Sequence, residues 1–264
     1  MSIAGQDRSA AAQSRRWQSR ARDWAEFQEG ASQPVYDAVI EDARIGPGTT
    51  VLDIGCGSGV FCATAAAAGA VVSGLDVAEA LIGIARTRVP TGRFTVGDMV
   101  AMPYRDGAFE VVTGFNSLHY GVLSRAIDEA RRVVAPDGTV VIATWAGEGK
   151  ADAAEYLRIV IGLQSEQDVR QLFRMMGRRQ LEIILKFHKL RSQGVRDVPC
   201  PWRYPDRDTA MRALMSSGPA VQSSDLVGEH RVRNALDEML DNFHDESGAY
   251  VLQNTFRYII ARPE

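Results

Sequence analysis

The fold is decided at residues 51–59, which read Val51-Leu52-Asp53-Ile54-Gly55-Cys56-Gly57-Ser58-Gly59. An apolar strand leads here into an acidic residue and then into three glycines at alternate positions. Glycine lets the backbone turn tightly and lets a ligand approach the main chain. Residues 60–68 are almost all small or apolar and predict a buried helix. A glycine loop between a strand and a helix N-terminus is typical of a nucleotide-type site in an α/β sheet.

Two common glycine loops do not fit this stretch. A P-loop needs Lys-Ser or Lys-Thr after its last glycine, and this chain has Val60 and Phe61 there. The dinucleotide pattern G-x-G-x-x-G, counted from Gly55, needs a sixth-position glycine where Val60 stands. The spacing that remains is D-x-G-x-G-x-G, with Asp53 two residues before the first glycine.

A second acidic residue follows the next predicted strand. Residues 71–76 end in Asp76, which comes 21 positions after Gly55 (76 − 55). A βαβ unit of this length brings that carboxylate beside the glycine loop, where it can accept hydrogen bonds from ribose hydroxyls. Asp76 is also a candidate N-cap for a helix predicted at residues 78–88. The sequence leaves both roles open.

These features, in this order, resemble class I S-adenosylmethionine-dependent methyltransferases. The D-x-G-x-G-x-G stretch is similar to their first motif, and residues 131–142 are similar to a segment of the ubiquinone-biosynthesis-like (methyltransferase type 11) group. The resemblance covers about residues 34–145. It implies S-adenosyl-L-methionine as cofactor and S-adenosyl-L-homocysteine as product. It also implies an α/β fold: a Rossmann-like, doubly wound, mostly parallel seven-stranded sheet with an antiparallel last strand.

The resemblance also implies which residues bind the cofactor. In it, Asp76 holds the ribose, Asp98 receives the adenine amino group, and Val77 and Met99 flank the adenine ring. Core packing is the alternative for Val77. The full implied set comprises Asp53, Gly55, Cys56, Gly57, Gly59, Asp76, Val77, Asp98, Met99, Phe115 and Asn116.

In the family, the loop after strand four passes beside the reactive methyl group. His119 in this loop is the first candidate for a general base, because imidazole titrates near neutral pH. Tyr120 is the second candidate. A packing role for His119 stays open.

The chain outside the core predicts a lid and a cap. We expect a disordered tail at 1–13, a lid helix at 14–33, the cofactor-binding core at 34–146, a helical cap at 147–230, and a last helix and strand at 231–264. Trp17, Trp24 and Phe27 share one face of the first helix and either pack on the core or cover the substrate. The basic residues of 170–191 indicate a solvated helix face or a site for an acidic substrate.

Composition limits the partners. The chain has 264 residues, 45% of them apolar and 24% charged, with a formal net charge of −3, which does not favour nucleic acid. No stretch is long and apolar enough to span a bilayer, and no metal-ligand spacing stands out. Three cysteines cannot form an even disulfide framework and indicate a reducing cytoplasm. A homodimer stays compatible with the sequence.

The expected function is methylation, at oxygen, carbon or nitrogen, of a small, bulky and partly apolar metabolite, as in natural-product biosynthesis. Two alternatives remain. The chain could bind S-adenosylmethionine and catalyse a reaction without methyl transfer, such as a cyclisation. It could also be a nicotinamide-dependent oxidoreductase, against which Val60 and the segment Gly97-Asp98-Met99 argue.

Overall fold

The computed structural model describes residues 9–163 and 177–264 and contains a seven-stranded sheet and a small two-stranded one. The strands are β1 (Thr50–Ile54), β2 (Val71–Asp76), β3 (Arg93–Val96), β4 (Phe109–Phe115), β5 (Val134–Trp145), β6 (Leu190–Pro199), β7 (Trp202–Tyr204), β8 (Tyr250–Leu252) and β9 (Thr255–Pro263). The large sheet runs β3-β2-β1-β4-β5-β9-β6. Strands β1 to β5 are parallel, and β9 is antiparallel to both β5 and β6. The expected sheet, with its antiparallel last strand, is confirmed.

Helices cover both faces of this sheet and build a layer over one of its edges. The α-helices of at least eight residues are α1 (Ala10–Ser19), α2 (Gln33–Asp42), α3 (Val60–Ala67), α4 (Glu79–Arg88), α5 (Leu123–Val133), α6 (Ala153–Gly162), α7 (Arg178–Phe187), α8 (Arg207–Met215), α9 (Gly218–Val227) and α10 (Glu229–Leu240). Between α1 and α2 lie a single α-turn (Ala21–Asp23), a π-helical turn (Trp24–Gln28) and a 3₁₀ turn (Glu29–Ser32). Further 3₁₀ turns occupy Leu118–Tyr120 and Glu148–Lys150.

The core lies on the two faces of the sheet. Successive side chains of a strand point to opposite faces, so Val51 packs in one buried cluster and Leu52 in the other. Burial on both faces is why the parallel strands read as continuous apolar runs.

The strand order also positions the functional site. From β1 the chain builds outward through β2 and β3 on one side, and then through β4 and β5 on the other. A crevice forms where such an order reverses, outside the carboxyl ends of the strands, and open α/β sheets bind their ligands there. The glycine loop follows β1, and the loop containing Asn116 follows β4. The two loops therefore meet at this crevice.

The structure differs from the sequence-based expectations at both ends of the core. Helix α1 begins at Ala10, where Ser9 Oγ accepts a hydrogen bond from the Ala12 amide at 3.3 Å, within the expected disordered tail. Residues 1–8 lie outside the described part. The expected helical cap, 147–230, also contributes β6 and β7. Strand β6 is an edge strand with many exposed polar residues, so its sequence lacks a continuous apolar run.

Two further expectations concern the described range. Arg170 and Arg174, part of the expected basic helix, lie outside the described residues. Within 9–163 and 177–264, no helix has the length and apolarity needed to cross a membrane.

Candidate functional site

A cavity lies at the carboxyl ends of the central strands. Its floor comes from the loops after the parallel strands, and its walls come from α1, the π-helical turn and the cap helices. The lining residues are Ala10, Gln13, Trp17, Trp24, Gln28, Gly55, Gly57, Leu75, Asp76, Val77, Leu81, Gly97, Asp98, Met99, Phe115, Asn116, Ser117, Tyr120, Gly121, Trp145, Tyr156, Leu157, Trp202, Ala213, Leu214, Ser217 and Pro219.

The glycine loop forms the floor, and its shape requires glycine. Gly55 and Gly57 have positive φ angles of 71° and 55°. A Cβ on Gly55 would lie 2.4 Å from the Cβ of Ser117, and a Cβ on Gly57 would lie 2.9 Å from Glu29 Oε1. A side chain at either position would therefore be strained and would collide with the protein itself. Both residues line the cavity.

Glu29 occupies the N-terminus of the helix that follows this loop. Its carboxylate accepts hydrogen bonds from the Ser58 amide at 2.9 Å and the Val60 amide at 3.4 Å. Burial raises the pKa of Glu29, and hydrogen bonds from Ser58 and the charge of Arg88 oppose this increase. Dinucleotide-binding folds place a pyrophosphate at this helix terminus. Here the chain's own carboxylate takes that position, which argues against a nicotinamide dinucleotide.

Asp76 joins the glycine loop to the turn before helix α4, whose N-cap is Ala78, and its expected role at the ribose stays a prediction. Its Oδ2 accepts from the Gly57 amide at 3.0 Å, and its Oδ1 accepts from the Ala78 amide at 2.9 Å, at the start of α4. Each carboxylate oxygen can accept a second hydrogen bond, and Asp76 lines the cavity. Burial raises the pKa of Asp76, and the backbone amides partly offset this effect. The carboxylate thus anchors the loop and still faces a ligand.

The expected adenine-binding residues surround one end of the cavity. Val77, Asp98 and Met99 all line it. The Oδ1 atom of Asp98 accepts a hydrogen bond from the Val100 amide at 3.0 Å, which holds the turn after β3 in place. This end therefore combines two apolar side chains with a carboxylate, as a base-binding site requires.

Asn116, in the loop after β4, is held in an unusual conformation. Its φ of 49° is positive, and its amide donates to the Ala143 carbonyl at 2.9 Å. Its buried Oδ1 has no hydrogen-bond partner among the described residues. Such strain and such an unsatisfied acceptor concentrate at functional sites. An acceptor here suits the ammonium group of S-adenosylmethionine, so the glycine floor, Asp76 and Asn116 together fit that cofactor.

Three residues of the expected cofactor set lie behind the loop and do not line the cavity. Asp53 is buried, and its Oδ1 accepts from Thr113 Oγ1 at 2.7 Å. Burial raises the pKa of Asp53 to about 8. Cys56 is buried, and a Cβ on Gly59 would lie 2.9 Å from the Cβ of Ala85. Because these residues face the core, we assign them a supporting role for the loop.

Six aromatic residues besides Phe115 line the cavity, and we call them the aromatic chamber: Trp17, Trp24, Tyr120, Trp145, Tyr156 and Trp202. It includes all four tryptophans of the chain. Ring centroids lie 4.9 Å apart for Trp17 and Trp24, and 5.4 Å apart for Trp17 and Tyr120, both edge to face. Sequence analysis found Trp17, Trp24 and Tyr120, but it missed Trp145, Tyr156 and Trp202, which are far apart in sequence.

Of the two expected catalytic residues, Tyr120 lines the cavity and His119 lies behind it. Tyr120 lines the chamber, and burial raises the pKa of its hydroxyl. His119 is not among the lining residues, and its ring packs against Tyr120 with centroids 4.3 Å apart. The imidazole therefore supports an aromatic wall, and neither residue provides a ready proton acceptor at the cavity surface.

Phe27, the third expected lid residue, also lies outside the lining. The guanidinium of Arg212 sits 4.3 Å from the centre of its ring. The same arginine donates to Asp23 Oδ1 at 2.8 Å. Phe27 thus attaches the N-terminal segment to helix α8, while Trp17 and Trp24 face the ligand space.

Comparisons with known proteins agree with this site. Residues 52–142 match the family model described as a methyltransferase domain. The chain is 33% identical over 109 residues to malonyl-[acyl-carrier protein] O-methyltransferase of Erwinia pyrifoliae, covering 41% of this chain and 42% of the relative. It is 32% identical over 108 residues to demethylmenaquinone methyltransferase of Renibacterium salmoninarum, covering 40% and 46%. The chain thus spans less than half the length of each of these relatives.

A solved structure extends the likeness beyond the family-model region. The crystal structure of the [4+2]-cyclase SpnF is similar with a TM-score of 0.57 and 20% identity, covering 87% of this chain and 79% of that one. At this identity the likeness concerns the fold. The family match and the relatives identify a methyltransferase domain of the class I S-adenosylmethionine-dependent type at residues 52–142.

Proposed function

We propose that this protein transfers the methyl group of S-adenosylmethionine to a small, bulky and partly apolar metabolite bound in the aromatic chamber. The observation that carries this proposal is the continuity of the cavity. The carboxylates Asp76 and Asp98 and the residues of the aromatic chamber line the same cavity. A cofactor and an acceptor bound there would therefore share one cavity.

The cofactor supplies an activated methyl group on a sulfonium, so the chain's task is to bind and align. Asp76 and Asp98 would hold the nucleoside, and Asn116 Oδ1 would accept from the methionine portion. Tyr120 and Trp17 would hold the acceptor beside the methionine portion of the cofactor. Alignment of reacting atoms within about 3–3.5 Å is itself a large catalytic contribution.

The cavity offers few side chains that could take a proton from the methyl acceptor. Among the described lining residues there is no histidine, lysine, arginine, glutamate or cysteine, and the two carboxylates, Asp76 and Asp98, are assigned to the cofactor in this proposal. Burial raises the pKa of both Tyr120 and Tyr156, so these phenols stay protonated. The hydroxyl of Tyr156 donates to the Leu214 carbonyl at 2.8 Å. We therefore expect an acceptor whose nucleophile is already ionised or needs no base from the protein.

The test is transfer of radiolabelled methyl from S-adenosylmethionine to a panel of small apolar acceptors, with S-adenosylhomocysteine measured in parallel. Label in the organic extract, matched by S-adenosylhomocysteine in equal amount, would support the proposal. The panel should include phenols, enols and amines, since the methylated atom is unassigned. Acceptor conversion without either signal would contradict it.

That last outcome would favour a second function, cofactor-dependent cyclisation without methyl transfer. A chamber that shapes its ligand but offers no proton acceptor among the described residues suits such a reaction. Consumption of a polyene or other cyclisable substrate, with S-adenosylmethionine unchanged, would identify it.

We further propose a cytoplasmic location and a small-molecule partner. Cys56, Cys62 and Cys200 are buried free thiols, a state typical of reducing compartments. The net charge of −3 gives no general attraction to nucleic acid. Fractionation of cells with an antibody to the chain would test the location.

A further inference from the structure

We propose that the methyl acceptor is an uncharged, planar, aromatic molecule that presents a carbonyl oxygen to the side-chain amide of Gln28. This inference rests on the proposed function and specifies the second ligand of the same site. It depends on three properties of the chamber: the shape of its walls, its lack of charge and the orientation of one buried amide.

The chamber walls favour a flat ligand. Trp145 and Trp202 meet edge to face with centroids 5.5 Å apart, and Tyr156 lies 6.0 Å from Trp202 with the rings inclined at 73°. Trp17 and Trp24 form a similar pair on the lid side. Rings arranged in this way present both faces and edges to an aromatic ligand. Contacts between aromatic rings stabilise binding by more than the buried apolar area alone.

The aromatic chamber itself contains no carboxyl or basic side chain. Among the described lining residues, Asp76 and Asp98 are the only ones with an ionisable carboxyl or basic group, and both belong to the expected cofactor-binding set. A charged acceptor would leave water without gaining a counter-ion from the chamber, which is costly. An aromatic cage can bind a cation, so an ammonium ligand is the alternative that the test must separate.

Gln28 supplies the polar contact. It is buried, lines the cavity, and accepts a hydrogen bond at Oε1 from the hydroxyl of Tyr204 at 2.6 Å. The phenol has one proton, and this contact uses it, so the amide is oriented with Nε2 away from Tyr204. Nε2 then has two N–H donors that no described residue accepts from. Because Gln28 lines the cavity, a carbonyl oxygen of the acceptor would accept from them.

The backbone explains why Gln28 points inward. Trp24 to Gln28 form a π-helical turn in which the Glu29 amide donates to the Trp24 carbonyl. Such turns occur often at functional sites. The turn places Trp24 and Gln28 on the cavity side, while the next residue, Glu29, reaches the glycine loop. One short segment thus contacts both ligand sites.

The test uses a matched set of naphthalene probes in saturating S-adenosylhomocysteine, followed by tryptophan fluorescence. Acetonaphthone is neutral and carries a carbonyl, ethylnaphthalene lacks it, and naphthoate and naphthylmethylammonium carry charges. Decalone keeps the carbonyl without the aromatic rings. We expect acetonaphthone to bind most tightly, by about tenfold over ethylnaphthalene, the gain of one well-made hydrogen bond.

Variants assign the contact to Gln28. Gln28→Glu keeps an oxygen for Tyr204 and removes both N–H donors, and Gln28→Met removes them without adding charge. Either should abolish the preference for acetonaphthone over ethylnaphthalene and leave the affinity for ethylnaphthalene unchanged. Tyr204→Phe, the matched control, keeps the amide and should retain the preference. Measuring probe preference within each folded variant separates this contact from a general loss of stability.

The outcomes also separate this inference from the proposed function. Tighter binding of naphthoate, naphthylmethylammonium or decalone would overturn the inference, as would an unchanged preference in both Gln28 variants. If S-adenosylhomocysteine binds in calorimetry while these probes fail, the cofactor assignment stands and the acceptor class is wrong. If S-adenosylhomocysteine itself does not bind, the proposed function fails first.

Discussion

The carboxylate of Glu29 lies 2.9 Å from the amide nitrogen of Ser58 and closes the N-terminus of helix α3. Gly59, the residue before this helix, has no side chain to cap it. The first helical amide, that of Val60, also donates to Glu29, at 3.4 Å. A residue of the N-terminal segment therefore fixes the glycine loop, so the 3₁₀ turn that begins at Glu29 and the cofactor floor are held together.

Replacing Glu29 with Gln should weaken cofactor binding. The substitution keeps the side-chain shape but removes the charge that strengthens the bonds to the loop amides. We expect the dissociation constant for S-adenosylhomocysteine to rise about tenfold, equivalent to about 1.4 kcal/mol. Calorimetry gives this directly. Glu26→Gln changes an exposed glutamate of the preceding π-helical turn and serves as the control. Equal affinities in the two variants would refute the coupling.

Asp76→Ala should reduce cofactor affinity more strongly. The change removes the proposed ribose acceptor and the bond from the Gly57 amide. Hydrogen bonds to a charged group contribute about 1.5–3 kcal/mol each, so we expect a loss of about 100-fold for S-adenosylhomocysteine. Circular dichroism should show a folded chain. Asp208→Ala, at an exposed carboxylate, should bind as the parent does. A folded Asp76→Ala protein with unchanged affinity would disprove the assignment.

Asp53 should give the protein a pH-dependent stability. Burial raises its pKa to about 8, whereas an exposed aspartate titrates at about 3.9. Between these two pKa values, the folded chain keeps a proton on Asp53 that the unfolded chain releases. The free energy of unfolding should therefore fall as pH rises from about 4 to about 8, and this contribution should level off above that.

Asp53→Asn removes the titrating group and keeps an oxygen for the hydroxyl of Thr113. In urea unfolding across this pH range, the free energy of unfolding should fall less steeply with pH in the variant than in the parent. The stability of the variant relative to the parent should therefore rise as pH approaches about 8. Asp208→Asn controls for a carboxylate at the surface. Parallel stability curves for Asp53→Asn and the parent would show that Asp53 ionises normally.

Gly218→Ala should displace the lid without altering the cofactor floor. A Cβ at this position would lie 2.8 Å from Cε2 of Trp17, closer than packed atoms tolerate. We expect a shift in tryptophan emission and weaker binding of aromatic probes, with little change for S-adenosylhomocysteine. Gly83→Ala is the matched control, because a Cβ there meets nothing within 4 Å. Equal loss of probe and cofactor affinity would show that the two sites are not separable in this way.

Local patterns predicted which residues lie at the carboxyl ends of the parallel strands, because these residues occupy consecutive strand-to-loop junctions. Asp76, Asp98 and Asn116 each follow a parallel strand, and parallel strands end at the same edge. The position of Asp53 was harder to predict. It is a strand residue whose side chain points into the core towards Thr113, and only the register of β1 against β4 reveals this.

The chamber could not be predicted in full for a different reason. Trp145 ends β5, Tyr156 belongs to α6 and Trp202 begins β7, so only the tertiary fold brings them together. For Trp145 and Trp202, the available signal in the sequence was the rarity of tryptophan. The chain has four tryptophans, and all four line one cavity. Glu29 and Gln28 were missed because a π-helical turn changes the direction in which their side chains point.

The most direct test of the central claim is calorimetric titration of the purified chain with S-adenosylhomocysteine, and with NAD in a parallel cell. The structure predicts binding of the first in the micromolar range, because Asp76, Asp98 and the glycine floor receive a nucleoside. It predicts no binding of NAD, because Glu29 holds the helix terminus that its pyrophosphate would need. Binding of NAD, or of neither ligand, would contradict this account.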